Sequence, residues 1–371
     1  MSGTNGGAAG AGPAARADTA ADPVGPPPDW VPVDAFGTGY LVTRVLRHTE
    51  GGWLWIRRPG ERRPMPFTPV PPAFRAAVTA LPDPAVRLSL GVPSGTDRLY
   101  SAPGPAAVGH RMLGAGPDTD WPAVERLLAG TGRLLRALHS CGPAADALPA
   151  APPPGAARLA DWLVGRPADG PAGALYTAAR QRLGALRLAC FLDWCEDVGE
   201  PGPAPVALHG GTSVGSLVPG EGPYAGTGAL LAGEELARGP AAYDVGWLLG
   251  ELTELRRHHL DRGDREAAAH CTGAGLAFLR GYDDSSLDRK ALGRTATLRI
   301  LTHAHDFAAY VGWASQLLDL LDLVADLVDT DGLAALPDNN LPDSNLPDNN
   351  LPDNNLPDNN LPDNGNGPRT T

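Results

Sequence analysis

The sequence predicts an α+β chain of two lobes, a small β-rich lobe followed by a larger helical one. Three observations predict it. Residues from Gly39 to about Pro103 alternate apolar and polar side chains over short runs, the period of half-buried strands. From Gly109 onward the apolar residues recur at helical spacing. Two short apolar runs, "PVALHGG" and "GALLAGEE", interrupt that helical part on either side of a glycine-rich stretch.

In chain order, residues 1–30 are mostly Gly, Ala and Pro. They have too few large apolar side chains to offset chain entropy, so disorder is expected. "GYLVTRVLRHTEGGWLWIRRPG" reads as a β-hairpin turning at "TEGG". "FTPVPPAFRAAVTAL" (Phe67 to Leu81) reads as a short proline-opened helix, and "AVRLSLGV" and "RLYSAP" as further strands of a lobe spanning 31–108. A connector is expected over 109–116 and the helical lobe over 117–330. There "DWPAVERLLAGTGRLLRALHSCG" carries Val124, Leu127, Leu128, Leu134, Leu135 and Leu138 on one face, with Asp120 as N-cap and Gly142 as the stop. A Pro/Ala linker covers 148–157. "QLLDLLDLVADLVD" is amphipathic and should pack on the domain. The "LPDNN" repeat of 336–364 has proline in every unit, which excludes a helix and favours a hydrated tail of successive turns in 331–371.

The formal net charge of −12 argues against a nucleic-acid partner, which demands a concentrated basic surface. The basic cluster "IRRPGERRP" (Ile56 to Pro64) reads as a solvated turn. "ELTELRRHHLDRGDRE" (Glu251 to Glu266) reads as a charged, exposed helix. Cys141, Cys190, Cys195 and Cys271 have neither zinc spacing nor disulfide density and read as core residues. No apolar run is long enough to span a membrane and no signal-peptide pattern opens the chain, so a cytoplasmic protein is expected.

Six strings, in order, carry a resemblance: "LWIRRP", "GHRMLG", "LLRALHS", "LHGGTSVGSLV", "GALLAGEELARGPAAYDVGWLL" and "FLRGYD". Over roughly Gly37 to Trp313 the chain resembles the aminoglycoside phosphotransferase and choline kinase-like family, a branch of the protein-kinase-like fold. The resemblance implies ATP and magnesium as cofactors, Arg57 as the base contacting the nucleotide phosphates and an adenine-binding hinge at Met112. It makes His209 a structural member of the catalytic loop and Asp244 the anchor of that loop.

The departures fall on the chemistry. The family's loop acid, magnesium-binding Asn and second Asp correspond to Gly211, Ser216 and Ala232, none of them acidic. Phosphoryl transfer is chiefly positioning and charge neutralisation, so these oxygen ligands carry much of it. Nor does the short helix after "FTPVP" hold a Glu for Arg57. Glu234 and Glu235, two and three positions after Ala232, would supply a substitute metal ligand if the strand end bends inward; otherwise Glu234 hydrogen-bonds backbone in the loop and Glu235 faces water. The expectation is a degenerate member, a pseudokinase binding a protein or peptide partner or a small hydroxyl-bearing molecule, with binding of ATP and magnesium in doubt. Degenerate relatives of this kind accompany bacterial peptide natural-product modification. The alternative is an active phosphotransferase with a rearranged acid set. Lastly, "THAHDFAAY" places His303, Asp306, Phe307 and Tyr310 on one helical face, available to a core network or a ligand.

Overall fold

Alternation in the first lobe becomes an antiparallel meander in the computed structural model, which describes residues 28–81, 85–116, 119–165, 169–200 and 202–338. The expectations for residues 1–27 and for the repeat beyond Asp338 lie outside these residues. Every strand and helix belongs to the compact unit that ends at Pro337. Strands β1 (Trp30–Gly37), β2 (Leu41–His48) and β3 (Trp53–Pro59) pair in sequence, with Val45 opposite Trp55. The turn between β2 and β3 places Gly51 and Gly52 at φ +102° and +97°, a region that side chains disfavour. After helix α1 (Pro72–Val78) come β4 (Val86–Leu90), β5 (Val92–Ser94) and β6 (Asp97–Ala102). The first sheet has the order β1-β2-β3-β6-β5.

β4 leaves that sheet. It pairs in parallel with β9 (Gly228–Ala232), which pairs antiparallel with β8 (Leu217–Pro219), so a strand from the first hundred residues belongs to the second lobe. Strands β7 (Val206–Leu208) and β10 (Ala237–Gly239) form a separate antiparallel pair. The glycine-rich stretch is the loop from β7 to β8.

The helices are α2 (Val108–Leu113), α3 (Trp121–His139), α4 (Gly142–Asp146), α5 (Pro154–Gly165), α6 (Gly170–Gly199), α7 (Ala242–Asp261), α8 (Arg265–Tyr282), α9 (Arg289–Tyr310) and α10 (Gln316–Val328). The Asp120 carboxylate caps α3 by accepting from Ala123 N at 2.9 Å, and the six apolar residues of its predicted stripe are buried. That helix ends at His139, and Gly142 opens α4 instead of serving as the stop. The stretch 148–157 is a linker only as far as Pro153. Burial of Leu317, Leu321, Val324 and Leu327 seats α10 on the lobe, each such side chain contributing roughly 1.5–3 kcal/mol. Cys195 and Cys271 are buried, but Cys190 is exposed on α6.

Candidate functional site in the interlobe cleft

The loop from β7 to β8 is held from beneath by one buried acid. Asp244, in the first turn of α7, accepts from His209 N at 2.6 Å, Gly210 N at 2.9 Å and His139 Nε2 at 3.1 Å. Burial alone would raise this carboxyl above its ordinary 3.8. The hydrogen bond and charge of His139, with His209 and the Gly210 amide, outweigh burial and hold it lower. Gly210 has φ +83°, and a β-carbon there would lie 1.6 Å from the Glu235 carbonyl oxygen, so only glycine fits. His209 donates from Nε2 to the Leu231 carbonyl at 2.9 Å and accepts at Nδ1 from Gly211 N at 3.3 Å. With both nitrogens engaged, it shapes the loop and has no free lone pair for a base. On the far side the Glu251 carboxylate accepts from Ser213 Oγ at 2.9 Å and Val214 N at 2.8 Å. Glu251 and the buried His259 thus correct the expectation of a wholly exposed charged helix over 251–266.

Arg57 is buried at the end of β3 and already neutralised. Its Nη1 lies 3.2 and 3.3 Å from the two Glu234 carboxylate oxygens and 3.3 Å from Ser216 Oγ, and Nη2 donates to the Gly215 carbonyl at 3.2 Å. Tyr100 OH adds a second donor to Glu234 at 2.7 Å. Burial, reinforced by the Glu234 charge, pushes the Tyr100 phenol far above its ordinary range, so it stays a donor. The partner of Arg57 therefore comes from the strand end after β9, not from α1.

Glu235 is held even more tightly. Its Oε1 accepts from Tyr40 OH, from Arg63 Nη2 at 3.1 Å and from Arg158 Nη1 at 3.1 Å. Burial would raise this carboxyl, yet Arg158 and Arg63 pull it below its ordinary 4.5 and keep it ionised. Its other oxygen, Oε2, lies 3.3 Å from where a β-carbon on Gly211 would stand. Arg158 also pairs with Asp306 at 3.0 Å, and His305 Nδ1 holds the second Asp306 oxygen at 2.8 Å.

The basic cluster is not a solvated turn. The Arg57 and Arg63 side chains are buried, and Arg62 donates to the Ala309 and Tyr310 carbonyls at 2.7 and 2.5 Å. Gly39 N donates to the same Tyr310 carbonyl at 2.9 Å. The Arg63 and Arg158 guanidinium carbons sit 4.0 and 4.4 Å from the Tyr40 ring centroid, within cation–π range. The turn between β1 and β2 is thereby pinned to the end of α9. Exposed carbonyls at a helix end attract cations, and here the first lobe supplies them to the second.

Between the lobes the connector is Pro103–Ala107, not 109–116. Residues 108–113 are α2, where Met112 is fully buried and its carbonyl accepts from His259 Nε2 at 2.9 Å; Met112 does not face the cleft. The connector's carbonyls are engaged from within, Gly104 O by the Trp55 indole N–H at 2.9 Å and Pro103 O by Glu221 N at 3.1 Å. Trp55 is 1% exposed and packs with Val45, Tyr100, Ala102, Ala107, Val218 and Leu231.

A cavity of about 310 Å³ remains, beside the loop and below Tyr40. Its wall includes Arg57, Arg63, Arg158, Arg299, Glu234, Glu235, Asp306, Trp247 and His303. Asp306 and His303 from the predicted helical face thus reach the cavity, while Tyr310 packs on Tyr40 with ring centroids 4.9 Å apart. These residues do not fit magnesium and ATP. Magnesium demands several open hard oxygen ligands, whereas both Glu234 oxygens are bound by donors and Glu235 offers only Oε2, its Oε1 taking three donors. Among the described residues no group of three or more His, Cys, Asp or Glu side chains is placed to hold a metal ion. The sequence missed Trp55, Tyr40, Arg158 and Arg299 as site residues. Only Trp55, two positions before Arg57 in "LWIRRP", stood beside a residue already singled out.

No protein-family model matches the chain, and no curated protein matches it. Solved structures do. A glucosamine kinase is 19% identical, with 83% of this chain and 81% of that one covered and a TM-score of 0.43. An amicoumacin kinase in complex with AMP-PNP, Ca²⁺ and Ami is 11% identical over 82% and 89% of the two chains, TM-score 0.46. The ethanolamine kinase of Plasmodium vivax is 11% identical over 81% and 80%, TM-score 0.45. The chain is a two-lobed α+β protein, with a β-rich first lobe and a helical second lobe meeting at a His-Gly loop, and it is similar to solved kinases and phosphotransferases.

Proposed function

We propose that this chain is a non-catalytic member of the kinase-like fold, a binding or scaffolding protein whose cleft receives a protein, a peptide or a small hydroxyl-bearing molecule. The observation that carries the reading is Trp55, which is buried against the connector and donates to the Gly104 carbonyl, where the kinase-like reading would seat an adenine. Two further facts support it. Arg57 is neutralised by Glu234, and positions 211, 216 and 232 offer no carboxylate. Removing a general base typically costs on the order of 10²–10⁴ in rate, before the loss of the metal ligand is counted.

One observation favours a second reading, an active phosphotransferase. Glu235 Oε2 faces the place of the absent side chain on Gly211, so an acid reaches that place from another strand. Calorimetric titration of ATP with and without Mg²⁺, paired with a product assay, separates the two. Absence of heat at millimolar nucleotide supports the binding protein. Magnesium-dependent ATP binding with turnover would overturn it in favour of the enzyme.

A further inference from the structure

Among the described residues, Arg299 is the one arginine of the cavity wall that makes loose ion pairs and no hydrogen bond. Arg299, on α9, is 13% exposed at its side chain and lines the cavity. Its nearest carboxylates, Glu251 Oε1 and Glu254 Oε2, stand 3.6 and 3.8 Å away, beyond hydrogen-bond distance. Glu251 has nearer partners on both oxygens and Glu254 on Oε1, whereas Glu254 Oε2 has no hydrogen-bond partner among the described residues and faces Arg299 alone. Glu251 holds Ser213 Oγ and Val214 N, and Glu254 holds His303 Nδ1 at 2.6 Å. The guanidinium carbon lies 5.9 Å from the centroid of Trp247, which also lines the cavity. The guanidinium carries five N–H donors in a fixed fork, and its nitrogens are open to the cavity, so a ligand can reach them.

The other charged groups of the wall are differently placed. Arg57 is bound to Glu234, Arg63 to Glu235, and Arg158 to both Glu235 and Asp306. Among the described carboxylates that line the cavity, Glu235 Oε2 alone has no donor, because its three donors all converge on Oε1. The unused groups are therefore one guanidinium fork and one carboxylate oxygen in a single small-molecule-sized cavity.

We infer that this cavity binds an oxyanion-bearing ligand, a carboxylate or phosphate seated on Arg299, which also carries a hydroxyl or amine that donates to Glu235 Oε2. The inference deepens the binding reading above and rests on it. It sets the ligand class by what the wall lacks. A bidentate carboxylate or a phosphate matches the fork of Arg299. A purely cationic ligand finds a single carboxylate oxygen already shadowed by Arg63 and Arg158.

The test is calorimetric titration of the full chain with l-malate, with succinate and with O-phosphoserine. Malate and phosphoserine separate the carboxylate from the phosphate source, and succinate lacks the hydroxyl. Saturable binding of malate or phosphoserine is expected, weakened on the order of tenfold or more in Arg299→Gln. Arg299→Lys keeps the charge and removes the fork, so it serves if the Gln variant does not fold, with weakening again expected. Succinate should bind more weakly than malate. Absence of saturable binding by both malate and phosphoserine, or binding unchanged in a folded Arg299 variant, overturns the inference. A parallel Mg²⁺–ATP titration keeps the two failures apart. ATP turnover that survives Arg299→Gln would defeat the non-catalytic reading, while the acid titrations alone decide the oxyanion site.

Discussion

Glu235 and Gly211 occupy one catalytic-loop position between them: the residue in the loop has no side chain, and the carboxylate from the strand end stands 3.3 Å from where its β-carbon would be. Restoring an acid at 211 therefore does not simply repair the loop. Gly211→Asp would place a second carboxylate against a buried, ionised first one, and like charges in one site are unfavourable. The expected outcome is a loss of about 1–3 kcal/mol in urea unfolding at pH 7, without ATP turnover.

Gly210 is a sterner constraint. A β-carbon would overlap the Glu235 carbonyl at 1.6 Å and would sit at φ +83°. Gly210→Ala should cost more than about 2 kcal/mol, because strain and overlap act together. Thermal unfolding of the two glycine variants side by side checks the order, with Gly210→Ala the less stable.

Acid should loosen the loop in a defined window. Asp244, Asp306 and Glu235 are all held below their ordinary values of 3.8, 3.8 and 4.5. Between the folded and ordinary values the unfolded chain binds protons that the folded chain does not, so stability falls as pH drops. Their contribution is complete above about pH 5 and is lost progressively below it. Asp244→Asn should cost about 3 kcal/mol at pH 7 and flatten the acid limb, as read by denaturant unfolding from pH 7 to 3.

Trp55→Ala empties the slot between the lobes. A buried Trp-to-Ala change costs roughly 3–5 kcal/mol. With Arg57 still held by Glu234, the proposed non-catalytic role predicts that the variant gains stability from no nucleotide. Thermal shift with ATP, ADP and adenosine checks this, and a marked upward shift with ATP would contradict it.

Tyr40→Phe keeps the ring between two guanidinium groups and removes the donor to Glu235. A loss of about 1–2 kcal/mol is expected. Amide hydrogen exchange should accelerate at residues 38–41, where the turn docks on α9, and remain unchanged in α8.

The regular elements were legible because they rest on local periodicity. The stripe from Val124 to Leu138, the Asp120 cap and the "TEGG" turn each follow from neighbours a few residues apart. The order of parts also placed the loop, with Asp244 beneath it. What failed depends on partners distant in the chain. "GHRMLG" is helical because Met112 packs inward and meets His259. Arg57 and Arg63 of "IRRPGERRP" are buried, and Arg62 is docked, because acids and carbonyls from residues 234, 235, 309 and 310 meet them. Nothing around an arginine in a turn says which distant carboxylate it will reach.

The parallel pairing of β4 with β9 has a consequence for dissection of the molecule. Val86 meets Gly228 across the connector, so cutting the chain there would not yield two self-sufficient halves. The second half would present β9 with one flank bare, and the first would carry an orphan strand. Expression of the lobes as separate pieces should give aggregation-prone products, and co-expression of the fragments should recover soluble material. In folding, this strand pair must wait until about half of the second lobe has been synthesised, so the seam forms later than the local hairpins of the first sheet.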